Sequence, residues 1–384
     1  MKIALICTEK LPVPPISGGA IQIYIDAVLP ILTKHHEITL FSLHNSKLPD
    51  QYKAGNLRHI RVQGKTADEY IYNIKKAMME DSFEYDLIHV FNRPLWILRL
   101  NDAAPNSAFS LSLHNEMFLP KKIDEARALQ CINKVRFITT VSQFIADDVQ
   151  KMYPAAKGKL NVVYSAADND AYVPIWSEDI KEQRGGRRKQ YGLDDRKVIL
   201  YVGRLSKKKG AHVLIKAMSQ VMELHPEAAL LFVGSKWYGS NATDDYIVKI
   251  QEMAKKLKGP VIFTGFLTPQ EIPKYYNMGD IFVCASQWRE PLARVHYEAM
   301  AAGLPIITTA RGGNAEVMQE NINGFTIEEY NNPDVMAEKI NYLLEHEEEA
   351  IGMGKAGRKL AEEKYNWQRV AKQLLDLFDT VSSK

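Results

Sequence analysis

Short apolar runs and longer amphipathic stretches alternate along this 384-residue chain, stop, and then begin to alternate again. In the first half, residues 2–7, 37–42, 57–62, 87–91, 108–113 and 137–141 read as strands separated by helix-like sequence. Strands that are apolar almost throughout, with helices between them, imply βαβ units and a largely parallel sheet covered on both faces. The alternation breaks over 176–196, a polar stretch containing Arg184-Gly185-Gly186-Arg187-Arg188-Lys189. It restarts with 198–202, 229–233, 261–264, 281–284 and 305–308. The expectation is an α/β chain of two doubly wound domains. Residues 1–176 form an N-terminal domain, 177–195 a linker, 196–365 a second domain and 366–384 a C-terminal helix. That helix carries Val370, Leu374, Leu375, Leu377 and Phe378 at helical spacing, a stripe that must be covered.

Composition removes several classes of function. With 46% hydrophobic residues the chain can bury two cores, and a formal net charge of +3 is too small to point to nucleic acid. The opening apolar run at 3–7 is too short to span a membrane, has no signal-peptide cleavage region, and reads as the first strand. Cys7, Cys131 and Cys284 are too widely spaced for a zinc cluster or a disulfide framework, so a reducing cytoplasm is the expected compartment.

Open parallel sheets bind ligands beyond the carboxyl ends of their strands, and two such domains side by side share a crevice there. Three segments at strand ends carry suitable chemistry. Gly18-Gly19 lies between the first strand and a helical segment, where backbone N–H groups can approach a phosphate, although a turn that only needs positive φ explains the pair as well. In the second half, Gly203-Arg204 ends a strand and Lys207-Lys208-Lys209-Gly210 follows. Arg204 offers a planar fork and Lys209 a point charge, a pair suited to a pyrophosphate, against the alternative of a solvated basic loop. Glu290 and Glu298 straddle a loop and its following helix, which Gly303 and Pro305 close. Carboxylates accept from paired sugar hydroxyls, and the backbone near Leu292 and Ala293 could offer free amides to a phosphate. Asp147-Asp148 and Asp244-Asp245 fall in polar helix-like stretches rather than at strand ends, so no metal is expected.

Taken in order, Gly18-Gly19, Ser112-Leu113-His114-Asn115, Val141-Ser142, Val202-Gly203-Arg204-Leu205 with Lys209-Gly210, Glu290 with Glu298, Gly312-Gly313-Asn314-Ala315-Glu316-Val317 and Asn323-Gly324-Phe325 resemble the retaining glycosyltransferases of group 1, the family-4-like enzymes of the GT-B fold. The resemblance spans nearly the whole chain. The opening, from Met1 through Glu9-Lys10-Leu11-Pro12-Val13-Pro14 to Gly18-Gly19-Ala20-Ile21-Gln22-Ile23-Tyr24, is also similar to the spore-coat-associated glycosyltransferases of bacilli.

The resemblance implies GT-B architecture: two Rossmann-like domains facing across a crevice, with the C-terminal helix crossing back to the N-terminal domain. It implies transfer of a hexose from a nucleotide-diphosphate sugar, commonly a uridine one, with retention of configuration and without metal or other cofactor. Arg204 and Lys209 would hold the donor pyrophosphate, Glu298 the ribose and Glu290 the transferred sugar, with His114 against that sugar. Gly18 and Gly19 would complete the phosphate cradle, and Gly203, Leu267, Leu292 and Ala293 line the donor pocket. The acceptor is left open among glycan, lipid-linked and small-molecule classes, as is association with a spore coat or, through Lys121-Lys122 and the 184–189 cluster, with a membrane surface. Two departures stand out: Leu292-Ala293 replaces the family's Phe-Gly or Leu-Gly, and Ser165-Ala166-Ala167-Asp168 replaces Asn-Gly-Val-Asp. A nucleotide-sugar epimerase on the same plan and a non-catalytic coat protein are the rival readings. Conversion of donor without acceptor, or failure to bind any nucleotide sugar, would single them out.

Overall fold

The computed structural model describes residues 1–80, 84–236 and 244–382. The chain divides into two compact units, Met1–Ser165 with Trp367–Lys384, and Ala166–Asn366.

The first unit holds strands β1 (Lys2–Ile6), β2 (Glu37–Leu43), β3 (Gln51–Ala54), β4 (Leu57–Val62), β5 (Leu87–Phe91), β6 (Ala108–Leu113), β7 (Val135–Thr140) and β8 (Leu160–Val162), in the order β3-β4-β2-β1-β5-β6-β7-β8. Every pairing is parallel except β3 with β4. The chain order reverses direction between β1 and β5, the switch point of such a sheet. Helices α1 (Ala20–Leu32), α2 (Ala67–Glu80), α3 (Pro94–Asn101), α4 (Glu125–Lys134) and α5 (Gln143–Met152) connect the strands. Local capping starts them: Asp124 accepts from the Arg127 amide at 2.9 Å, and Ser142 from the Ile145 amide at 3.2 Å. Asp147 and Asp148 are ordinary members of α5.

The second unit is a six-stranded parallel sheet of β9 (Lys197–Val202), β10 (Ala228–Val233), β11 (Val261–Phe263), β12 (Ile281–Cys284), β13 (Ile306–Thr309) and β14 (Gly324–Ile327), ordered β11-β10-β9-β12-β13-β14. Counted within the unit this is 3-2-1-4-5-6, the dinucleotide-binding order, with its switch point between β9 and β12. Its helices are α6 (Glu178–Gln190), α7 (Ala211–Leu224), α8 (Asp245–Ala254), α9 (Ile272–Tyr276), α10 (Val295–Ala301), α11 (Pro333–Glu345) and α12 (Glu347–Glu363). Asp244 caps α8 through the Ile247 amide at 2.9 Å.

The segment 177–195, expected as a linker, is largely helix α6 and belongs to the second unit. Arg184 and Arg188 stand one turn apart on its face and converge on Asp280, just ahead of β12. Arg184 Nη2 lies 2.6 Å and Arg188 Nη1 3.1 Å from Asp280 Oδ1, while Oδ2 also accepts the Val198 amide at 2.7 Å. This shared carboxylate holds a helix whose two internal glycines, Gly185 and Gly186, weaken it locally. The strands missed in the sequence lacked the apolar signal: all four residues of β3 are exposed, and β8 and β14 have three and four residues.

Helix α13 (Trp367–Ser382) closes the chain against α1 within the first unit. Val370, Leu374 and Phe378 are buried, whereas Leu375 and Leu377 are half-buried; residues 383–384 of the expected helix lie outside the described residues. The Phe378 ring sits 5.6 Å from His89 and 6.2 Å from both His36 and Phe137. Arg369 Nη2 donates to the carbonyls of Tyr164 and Ser165 at 2.8 and 3.0 Å, fixing the helix to the end of the unit's other chain segment. Phe378→Ala empties a fully buried site and should destabilise this unit by about 3–5 kcal/mol, read as a lower urea midpoint at unchanged slope.

Candidate functional site

Beyond the carboxyl end of β12 the chain runs through Ala285 to Arg294 before α10 begins, and Glu290 lies inside this loop with only 6% of its surface exposed. Its Oε2 accepts from Lys209 Nζ at 2.6 Å, Trp288 Nε1 at 2.6 Å and Ser286 Oγ at 3.0 Å. No described residue donates to Oε1. Burial alone would raise the pKa of this carboxyl, but the Lys209 ammonium and the three hydrogen bonds hold it below the usual glutamate range. A carboxylate pinned by one oxygen and open at the other is an acceptor for a ligand's hydroxyl groups.

Lys209 comes from the turn after β9, the neighbour of β12 across the switch point. Tyr201 braces that turn by donating its hydroxyl to the Arg204 carbonyl at 3.0 Å, and the Gln287 amide donates to the Lys208 carbonyl at 2.8 Å. Gly210, at φ 75°, packs so closely that a Cβ there would collide with the Ala285 carbonyl oxygen. Gly312, at φ 64°, likewise lies directly against the Glu290 backbone. The two turns therefore reach Glu290 through positions that only glycine fills without strain.

Other expected donor-side residues occupy the same end of this sheet. Gly203 and Arg204 follow β9, Arg204 being half-buried, and Leu267 is half-buried in the loop after β11. Glu298 is buried in α10, where its Oε2 accepts the Tyr276 hydroxyl at 2.9 Å and Arg294 Nη2 lies 3.4 Å from Oε1. Leu292 and Ala293 are buried in the loop, but the expectation of a free amide fails at Ala293: its N–H donates to Asn314 Oδ1 at 3.1 Å. Gly18, Gly19 and His114 belong to the first unit. Gly18 and Gly19, at φ 96° and 104°, lead into α1, with Gln22 closing the loop onto Thr8 Oγ1 at 3.1 Å and the Leu11 carbonyl at 3.2 Å. His114 follows β6, its amide donating to Asn92 Oδ1 at 3.1 Å, its Nε2 3.1 Å from Ser112 Oγ and its ring edge-on to Tyr24 at 5.0 Å.

Several residues escaped the sequence analysis. Trp288 and Ser286 complete the grip on Glu290, and Trp288, two positions ahead of it, was the available signal. Glu9 and Arg93 form a two-pronged pair at 2.7 and 3.0 Å beyond β1 and β5, the first unit's switch point. Burial would raise the Glu9 pKa, but Arg93 holds it below the usual range. These partners are far apart in sequence and carry no local motif. His296 and Cys284 lie buried together. Burial opposes charge on both, yet their mutual attraction draws the thiol below and the imidazole above its ordinary value.

The basic cluster suggested for a lipid surface is partly committed elsewhere, with Arg184 and Arg188 on Asp280 and Lys122 Nζ on the Glu116 carbonyl at 2.8 Å. Among the described residues no helix is long and apolar enough to cross a membrane, and no group of three or more His, Cys, Asp and Glu side chains could hold a metal ion.

Two Rossmann-like units, one with a basic turn joined to a carboxylate at its switch point, define a protein of the GT-B class. The structure aligns with sucrose-phosphate synthase from Thermosynechococcus elongatus over 100% of this chain and 99% of that one, with TM-score 0.81 and 21% identity. It aligns with Anabaena Alr3699/HepE, solved with UDP-glucose, over 99% and 100%, with TM-score 0.74 and 19% identity. Residues 184–360 match the profile of the glycosyl transferases group 1. Over 380 residues, 99% of each chain, the sequence is 44% identical to spore coat protein SA of Bacillus subtilis strain 168. It is 41% identical to the putative glycosyltransferase YtcC of the same strain over 381 residues, 99% of this chain and 92% of that one. The chain belongs to the glycosyltransferase group 1 family.

The Lys209–Glu290 pair has a signature in acid. Because the folded pKa of Glu290 lies below its unfolded value of about 4.3, its contribution to stability is present above that value and disappears as pH falls through the folded one. Unfolding free energy measured from about pH 6 down to pH 3 should therefore fall more steeply for the wild type than for Glu290→Gln.

Proposed function

We propose that the protein transfers a hexose from a nucleoside diphosphate sugar, with uridine as the carrier, to an acceptor hydroxyl, retaining anomeric configuration and requiring no metal. The observation that carries this reading is the Glu290 carboxylate, held through Oε2 by Lys209, Trp288 and Ser286 while no described residue donates to Oε1. Cleavage of the bond to the anomeric carbon leaves negative charge on the diphosphate and positive character on the sugar. Lys209 and Arg204 stabilise the former. Glu298 takes the ribose. Attack from the face the diphosphate leaves, with a phosphate oxygen taking the acceptor's proton, preserves configuration without an enzyme nucleophile.

The uridine carrier is supported by the UDP and UDP-glucose complexes of the Anabaena neighbour. The similarity to spore coat protein SA supports a role connected with the spore coat.

A calorimetric panel of nucleotide sugars in the presence of a chelator tests the donor half of the proposal. One uridine donor should bind selectively, and Lys209→Ala and Glu298→Gln should each weaken it at least about tenfold, or 1.4 kcal/mol. Binding of no nucleotide sugar would overturn the reading and favour a non-catalytic coat protein. Once an acceptor is found, the anomeric coupling in the product's NMR spectrum decides retention.

A further inference from the structure

The loop that carries Glu290 is gripped from outside at two points. The Glu290 carbonyl accepts the Gly313 amide at 2.8 Å. Three residues on, the Ala293 peptide is held on both sides: its N–H donates to Asn314 Oδ1 at 3.1 Å, and its carbonyl accepts from His296 Nδ1 at 2.8 Å. A carbonyl can only accept, so Nδ1 carries a proton in whichever state the ring adopts. Both side chains are completely buried and tied to the sheet beyond the loop. His296 Nε2 lies 2.8 Å from Thr308 Oγ1 on β13, and Asn314 Nδ2 lies 3.8 Å from Cys284 Sγ at the end of β12.

We propose that His296 and Asn314 are positioning residues, which clamp the Ala293 peptide to β12 and β13 and thereby set where Glu290 meets the transferred sugar. Gly313 and Asn314 are consecutive, so a single turn fixes both the residue that receives the sugar and the peptide that follows it. The Ala293 amide, being engaged by Asn314, is not a phosphate donor, and the clamp acts on ligand through Glu290. Losing Asn314 leaves the buried Ala293 N–H without its partner, and losing the His296 imidazole leaves the Ala293 carbonyl only the longer bond from the His296 backbone amide at 3.3 Å, so either change loosens the hold on the loop. The functional half of this inference rests on the donor reading proposed above.

Two readouts test it, one of them independent of any ligand. Hydrogen exchange of the 288–295 segment should be at least about tenfold faster in His296→Leu and Asn314→Leu than in the wild type, with exchange in α7 unchanged. In the same variants the Kd for UDP-glucose should rise at least about tenfold, while that for UDP alone changes less than about threefold. His296→Asn, whose Nδ2 can stand where Nδ1 stood, should restore both. Asn314→Ser, too short to reach Ala293, supplies the same comparison if the leucine variants do not accumulate as folded protein. Unchanged exchange at 288–295, or equal losses for UDP and UDP-glucose, would overturn the clamp. Should the wild type bind neither ligand, the donor reading fails and the exchange measurement alone decides the clamp.

Discussion

The ion pair between Lys209 and Glu290 is possible only because a parallel sheet changes direction between β9 and β12. At that point the turn leaving one strand and the loop leaving its neighbour diverge toward different helices, and side chains from both enter the gap. Burying a carboxylate there carries a desolvation cost that Coulomb attraction alone does not reliably offset. Here Trp288 and Ser286 add two hydrogen bonds to the same oxygen, and the glycines at 210 and 312 let the backbones approach closely enough for all three donors to reach it. Much of the second unit can be read as what this contact requires: a strand order with a switch point, two turns at positive φ and an outer turn that grips the loop.

The legible part of the fold was the part built from continuous apolar runs. A parallel strand buried on both faces announces itself in five or six residues, and the central strands of both sheets were read correctly on that basis. Strand β3 was invisible because it sits at an edge, pairs antiparallel and exposes every residue. The 177–195 segment misled for a different reason. Two adjacent glycines among charges look like flexible sequence, and nothing within the segment shows that Arg184 and Arg188 share a partner in Asp280, more than ninety positions away.

The site divides along the same line. Lys209 and Glu290 could each be singled out from local pattern, but their contact depends on strand order and could not. Ala293 shows the limit most clearly: its amide looked free because the residue that engages it, Asn314, is contributed by the turn after the next strand. The resemblance to a family supplied roles for residues, whereas only coordinates supplied their partners, such as Tyr276 on Glu298 and Arg93 on Glu9.

One feature of the fold bears on how the second unit can move. Strand β12 is anchored ahead of its first residue, where Asp280 gathers Arg184, Arg188 and the Val198 amide, and again beyond its last, where the loop is tied to its neighbours. A beam fixed at both ends cannot slide along its axis or tilt without breaking one of its supports. Any displacement of β12 itself on ligand entry would have to break one of these supports, so the strand beneath Glu290 serves as a fixed reference for the turns around it.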